Sequence, residues 1–115
     1  MLTAVVPTFN ESKNINKFLK LILKISLVTE IIFIDDLSTD NSSNLLEEKI
    51  EEFKKLFINT NFLLLNNLKN RGYGFSIKKG VRNSNNNTIA IIDLDRTYKI
   101  EDLNILADQY VNNYK

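Results

Sequence analysis

The residues with chemical potential in this chain are acids: Glu11, the group Asp35, Asp36 and Asp40, and the pair Asp93 and Asp95. There is no His and no Cys. Ser-His-Asp and Cys-His catalysis are thereby excluded, together with Cys/His zinc sites. What remains is chemistry by carboxylates, hydroxyls, Lys, Arg or a metal held by oxygen. Carboxylates brought together repel one another unless a cation or hydrogen-bond donors stabilise them. A hard divalent cation, Mg²⁺ or Mn²⁺, would relieve that repulsion and has the oxygen preference to hold a diphosphate as well.

Each acid also has a purely structural use. Thr8-x-x-Glu11 fits a helix capping box. Ser38, Thr39 and Asp40 fit the cap of a following helix, and Asp93 and Asp95 fit a solvated turn. Gly72-x-Gly74 is half of a dinucleotide-binding fingerprint; without the third glycine it reads as a turn into a helix. No single motif decides among these readings.

The elements that must position the acids are legible in the hydrophobic pattern. Four short apolar runs, Leu2–Val6, Glu30–Ile34, Asn61–Leu65 and Thr88–Ile92, have the continuous character of buried strands. Between them, Ile15, Phe18, Leu19, Ile22 and Leu23 share one helical face, as do Leu46, Ile50, Phe53 and Phe57. A shorter helix is predicted through Phe75, Ile77 and Val81, and a fourth through Leu103, Leu106, Ala107 and Tyr110. Strand–helix alternation predicts an α/β fold: a Rossmann-like parallel sheet in the order 3-2-1-4, with helices on both faces. Pro7 is expected to end the first strand, where a missing ladder donor does least harm. Ligands of such sheets bind beyond the carboxyl ends of the strands, which is where the acids fall.

With 115 residues, 43% hydrophobic and 25% charged, the chain has the composition of one globular domain and not of a disordered segment. Fifteen basic against 14 acidic residues leave a net charge of +1, so nucleic acid is not expected as a partner. The N-terminus has no basic stretch leading into an apolar one, and Phe18 to Val28 is interrupted by Lys20, Lys24 and Ser26. Neither a signal peptide nor a membrane span is predicted. The expected location is cytoplasmic, with peripheral membrane association as a variant.

Taken in order, Val-Val-Pro-Thr-Phe-Asn-Glu, Ile-Ile-Phe-Ile-Asp-Asp-Leu-Ser-Thr-Asp, Asn-Arg-Gly-Tyr-Gly-Phe-Ser and Ile-Ile-Asp-Leu-Asp resemble glycosyltransferase family 2. The branch most similar holds dolichyl-phosphate mannose synthase and related polyprenyl-phosphate sugar transferases. The likeness runs from Val5 to about Leu103. It implies a GT-A fold and a nucleotide-diphospho-sugar as ligand. Pro7, Phe9 and Glu11 then match the first nucleotide-contacting loop, with Phe9 where the family usually has Tyr. Ile34 and Asp36 match the base-recognition end of the second strand, with Asp36 accepting a hydrogen bond from the base. Asp93-Leu94-Asp95 matches the DXD motif: Asp93 would face nucleotide and metal, and Asp95 would ligate the Mg²⁺ or Mn²⁺. Thr97 occupies the position of a third metal-holding residue, where Gln or Asp is commoner; Arg96 and Lys99 also depart from the branch.

The implied reaction is metal-assisted sugar transfer with inversion to a polyprenyl phosphate or a glycan hydroxyl. Members of the family continue well past the DXD motif, and their base lies in that part, so no catalytic base is assigned. Residues 1–115 would then be the nucleotide-sugar-binding half, truncated before the acceptor half and prone to self-association or to pairing with a membrane-bound partner. A non-catalytic nucleotide-sugar-binding or assembly module of the same fold is the alternative. A phosphoacceptor receiver domain also pairs Ile34-Asp35-Asp36 with Ile92-Asp93, but its acidic strand comes first, and here a full strand–helix unit precedes Asp35.

Overall fold

The computed structural model describes residues 1–95. The elements follow one another as β1 (Leu2–Thr8), α1 (Ser12–Ile22), β2 (Val28–Asp35), α2 (Ser42–Lys54), β3 (Asn61–Asn66), α3 (Tyr73–Arg82) and β4 (Thr88–Ile91). The strands form one sheet in the order β3-β2-β1-β4, and every pairing is parallel. The expected order and direction are both met. The predicted helix through Leu103 and Tyr110, and the residues Arg96, Thr97 and Lys99, lie outside the described residues.

Alternation along the strands explains why both faces are covered. Ala4, Val6, Ile31 and Phe33 point to one side and pack with Ile15, Phe18, Leu19 and Ile22 of α1 and Leu46 of α2. Phe18 meets Phe33 edge to face, with ring centroids 5.9 Å apart. Val5, Ile32 and Ile34 point to the other side and form a smaller cluster with Leu63, Leu65 and Ile89. Helix α3 covers that second cluster.

The face that α3 presents differs from the sequence expectation. Phe75 and Val81 are exposed; the buried residues are Ser76 and Gly80. A Cβ built on Gly80 would lie 2.5 Å from Val5 Cγ1 and 2.8 Å from Ile34 Cδ1. The helix therefore seats on the sheet through its smallest residues, and close approach overrides apolar periodicity.

Strand β1 also runs past the expected end, because Pro7 still pairs with Ile34 and Thr8 with Asp35. The reason lies in the alternation of backbone groups. The Val5 carbonyl accepts from Ile92 N on the β4 side, so Pro7, two residues on, turns its missing donor to that same side. Strand β4 has ended there, so no ladder bond is lost. Among the described residues β4 pairs only with β1, and Ile91 on it is exposed.

Candidate functional site

The acids after β1, β2 and β4 reach one cavity of about 420 Å³ at the carboxyl edge of the sheet. Its walls are Pro7, Thr8, Phe9 and Glu11 after β1, Asp36 after β2, Gly72, Tyr73 and Ser76 at the start of α3, and Asp93, Leu94 and Asp95 after β4. This is the point where strand order reverses between β1 and β4, the usual ligand crevice of open parallel sheets. Of the residues singled out from sequence, Pro7, Phe9, Glu11, Asp36, Asp93, Leu94 and Asp95 meet here. Ile34 does not line the cavity: it is fully buried and its Cδ1 faces Gly80.

Two loops are laced together to form the first wall. Asn10 has φ 51°, a left-handed conformation that Asn tolerates better than most residues. Its side-chain oxygen accepts from Thr39 N (2.8 Å), Asp40 N (3.1 Å) and Thr39 Oγ1 (3.3 Å), while its own N–H donates to Ser38 Oγ (3.0 Å). Glu11 N donates to Ser42 Oγ at 3.0 Å. The Asp40 carboxylate accepts from the first amides of two helices, Ser42 N (2.8 Å) and Ser12 N (3.3 Å). Partial burial raises its pKa, but the Ser42 hydroxyl and amide and those of Ser12 outweigh this and hold it below the ordinary value.

The capping expectations are corrected in part. Thr8 ends β1 and its hydroxyl donates to Val6 O, so no capping box forms with Glu11. Helix α1 starts at Ser12 with no side-chain cap bond from Glu11. The Glu11 carboxylate instead accepts from Asn14 Nδ2 at 2.6 Å and stands on the cavity wall. Asp40 does serve α2, although the capping position itself is Asn41.

The neighbouring acids Asp35 and Asp36 part to separate networks. Buried Asp35 accepts from the amide (3.0 Å) and hydroxyl (2.5 Å) of Ser38. Asp36 accepts from Arg71 N (2.7 Å), Asn67 Nδ2 (2.9 Å) and Gly72 N (3.1 Å), and its carbonyl accepts from Asn70 Nδ2 (2.5 Å). Burial pushes the Asp36 carboxyl up; the Arg71 amide, the Asn67 side chain, the Gly72 amide and the Arg71 charge together bring it below its ordinary value. A carboxylate offers about four lone-pair sites. Three are filled by the chain, two on Oδ1 and one on Oδ2.

Sequence reasoning missed Tyr73 and Ser76. Both stand in the Asn-Arg-Gly-Tyr-Gly-Phe-Ser motif, in which only the glycines carry a structural expectation, the turn into a helix. Gly72 does make that turn, with φ 90°, and delivers the next residue into α3. The Tyr73 hydroxyl donates to Asp93 Oδ1 at 2.8 Å. Arg71 lies over the Phe75 ring, 4.3 Å from its centroid.

The donor set suits a hard cation shared with a ligand. Among the described residues there is no group of three or more acidic, His or Cys side chains placed to hold a metal. Asp93 and Asp95 on the cavity wall are two oxygen donors, and Mg²⁺-type ions commonly take one or two carboxylates and complete their shell with phosphate oxygens and water. Thr97 lies outside the described residues.

Comparison with known proteins decides the family. The sequence profile of glycosyl transferase family 2 matches residues 3–115. The chain belongs to glycosyltransferase family 2. An uncharacterized protein of Methanocaldococcus jannaschii is 35% identical over 128 residues, covering 99% of this chain and 53% of the relative. The dolichyl-phosphate beta-glucosyltransferase of Dictyostelium discoideum is 31% identical, covering 93% of this chain and 34% of that enzyme. The chain thus spans about half or a third of these relatives. The mannosyltransferase of Pyrobaculum calidifontis, solved with GDP-Man and Mn²⁺, superposes with a TM-score of 0.71 at 21% identity, over 92% of this chain and 32% of that one. The fold is GT-A. Among the described residues, no helix is long and apolar enough to cross a membrane.

Proposed function

We propose that this chain is the nucleotide-diphospho-sugar-binding part of an inverting glycosyltransferase whose acceptor is a polyprenyl phosphate or a glycan hydroxyl. The observation that carries the reading is the meeting of Glu11, Asp36, Asp93 and Asp95 around one cavity at the switch point of a family 2 sheet. The GDP-Man and Mn²⁺ of the Pyrobaculum calidifontis enzyme support the ligand class and the divalent cation, and the dolichyl-phosphate relative supports a lipid phosphate acceptor.

In this reading the Phe9 ring and Pro7 offer apolar surface to the nucleoside, and Asp36 uses its remaining lone pair for a base N–H. Ile34 holds the end of β2 in the core without touching the ligand. Asp93 and Asp95, with Thr97 as the expected third oxygen, would hold Mg²⁺ or Mn²⁺, whose Lewis acidity stabilises charge on the diphosphate. During transfer the acceptor oxygen, either an ionised phosphate oxygen or a hydroxyl oxygen that gives up its proton to a base, bonds to the anomeric carbon as the bond to the diphosphate oxygen breaks, which inverts that centre and releases the nucleoside diphosphate. Charge grows on the departing phosphate, and stabilisation of such developing charge is a large catalytic term. The chain's own contribution is to orient the donor between the Phe9–Glu11 loop and the Asp93–Asp95 turn.

Titration of UDP-, GDP- and dTDP-sugars with and without Mn²⁺ tests the proposal. One base series should bind, and more tightly with Mn²⁺. Absence of binding across the whole panel would refute it.

A further inference from the structure

We propose that Tyr73 is a positioning residue that holds the Asp93 carboxylate at the cation end of the cavity, and that Asp36 sets Tyr73 there through the β3–α3 loop. The inference rests on the nucleotide-sugar reading above and deepens it.

Ile92 N donates to Val5 O, and Asp93 is the next residue, at the carboxyl end of β4. The Tyr73 hydroxyl reaches it at 2.8 Å, within the usual O–H···O range and charge-assisted. Burial does not account for this tyrosine, because it is 54% exposed. A phenol also differs from Lys or Arg at such a place. It orients a carboxylate by donating one proton and leaves the negative charge in place for a cation.

The position of Tyr73 is fixed from behind. It follows Gly72, whose N–H donates to Asp36 Oδ2 at 3.1 Å, and Arg71, whose N–H donates to Asp36 Oδ1 at 2.7 Å. Asn67, itself buried, ties the same Asp36 oxygen (2.9 Å) to Ser76 Oγ (3.1 Å) inside α3, and its own oxygen accepts from Lys79 Nζ at 3.0 Å. The first turn of α3 is thus held both through the loop before it and through its inner face. One carboxylate at the base end thereby determines where the phenol meets the carboxylate at the cation end. This is a contiguous network, and coupling between its ends is a measurable quantity.

The test uses the full chain with Tyr73→Phe, Asp36→Asn and the double variant. Mn²⁺ alone is titrated by electron paramagnetic resonance, and UDP and GDP are titrated with and without Mn²⁺. Tyr73→Phe should weaken Mn²⁺ uptake and Mn²⁺-dependent nucleotide binding about three- to tenfold, the lower scale of a hydrogen bond to a charged group at a half-exposed site. Metal-free nucleotide binding should stay within about twofold, and the thermal midpoint should hold because the ring is exposed. Asp36→Asn should reproduce the loss in Mn²⁺ uptake, and adding Tyr73→Phe to it should cost less than about twofold more. Unchanged Mn²⁺ affinity in Tyr73→Phe overturns the proposal, as does an equal loss without metal, which would make Tyr73 a nucleotide wall only. Losses that multiply in the double variant overturn the part assigned to Asp36. If the parent takes Mn²⁺ but no nucleotide, the nucleotide reading fails and the Mn²⁺ comparison still decides the role of Tyr73. A parent that takes no Mn²⁺ overturns that role.

Discussion

Replacing Asn10 separates two contributions that this residue makes to the cavity wall. Its side-chain oxygen accepts from the backbone amides of Thr39 and Asp40, and its backbone sits at φ 51°. A neutral hydrogen bond nets about 0.5–1.5 kcal/mol, and these amides are exposed enough for water to replace part of the loss. Two such bonds set the cost of Asn10→Gly at about 1–2 kcal/mol, because Gly adopts the left-handed conformation freely. Asn10→Ala loses the same bonds and adds the left-handed penalty of roughly 1 kcal/mol, for a total of about 2–3 kcal/mol. Urea unfolding of the parent and both variants measures these differences. Nucleotide affinity should fall in both variants, since Phe9 and Glu11 flank the position. A Gly variant as stable as the parent would show that the lacing bonds contribute nothing. Equal losses in Gly and Ala would show that the left-handed backbone is not a constraint.

Gly80→Val should destabilise the fold by about 1–3 kcal/mol through overpacking, since even a first carbon would press on the stiff, buried Val5 side chain. An unchanged urea midpoint would mean that α3 does not sit this close to the sheet. The depressed pKa values of Asp36 and Asp40 give stability that is complete above the ordinary carboxyl value of 3.8 and is lost as pH falls through the lower folded-state values. Acid unfolding of Asp36→Asn and Asp40→Asn should therefore show a shallower dependence on pH below about 4 than the parent, and identical slopes would remove both acids from the account.

Much of this architecture is legible in the sequence, because buried parallel strands leave continuous apolar runs. Ile31 to Ile34 are all fully buried, four in a row, and could not have belonged to an amphipathic element. Helix α1 was equally plain, since Ile15, Phe18, Leu19 and Ile22 are all buried on one face. Helix α3 was harder to read because its contact with the sheet runs through Ser76 and Gly80, and small residues carry no hydrophobic signal. The acids of the site are legible from their place after strands. The roles of their neighbours are not, because Asn67, Ser76 and Tyr73 join the site through folding of the β3–α3 loop around Asp36. Hydrogen bonds across about 30 residues of sequence, such as Asn67 to Asp36, leave no periodic trace.

The most direct test of the central claim is isothermal titration of Asp95→Asn and Asp36→Asn with nucleoside diphosphates, with and without Mn²⁺. Asp95 closes the cavity at the β4 end, and Asp36 holds the β2 end. Asp95→Asn keeps the shape, removes the charge, and should weaken Mn²⁺-dependent binding by about 1.5–3 kcal/mol, roughly 10- to 150-fold, with metal-free binding preserved. Asp36→Asn should instead weaken binding without Mn²⁺ as well and change the preference among bases. Equal losses in the two variants, independent of metal and of base, would mean that these acids serve the fold alone and would contradict the account.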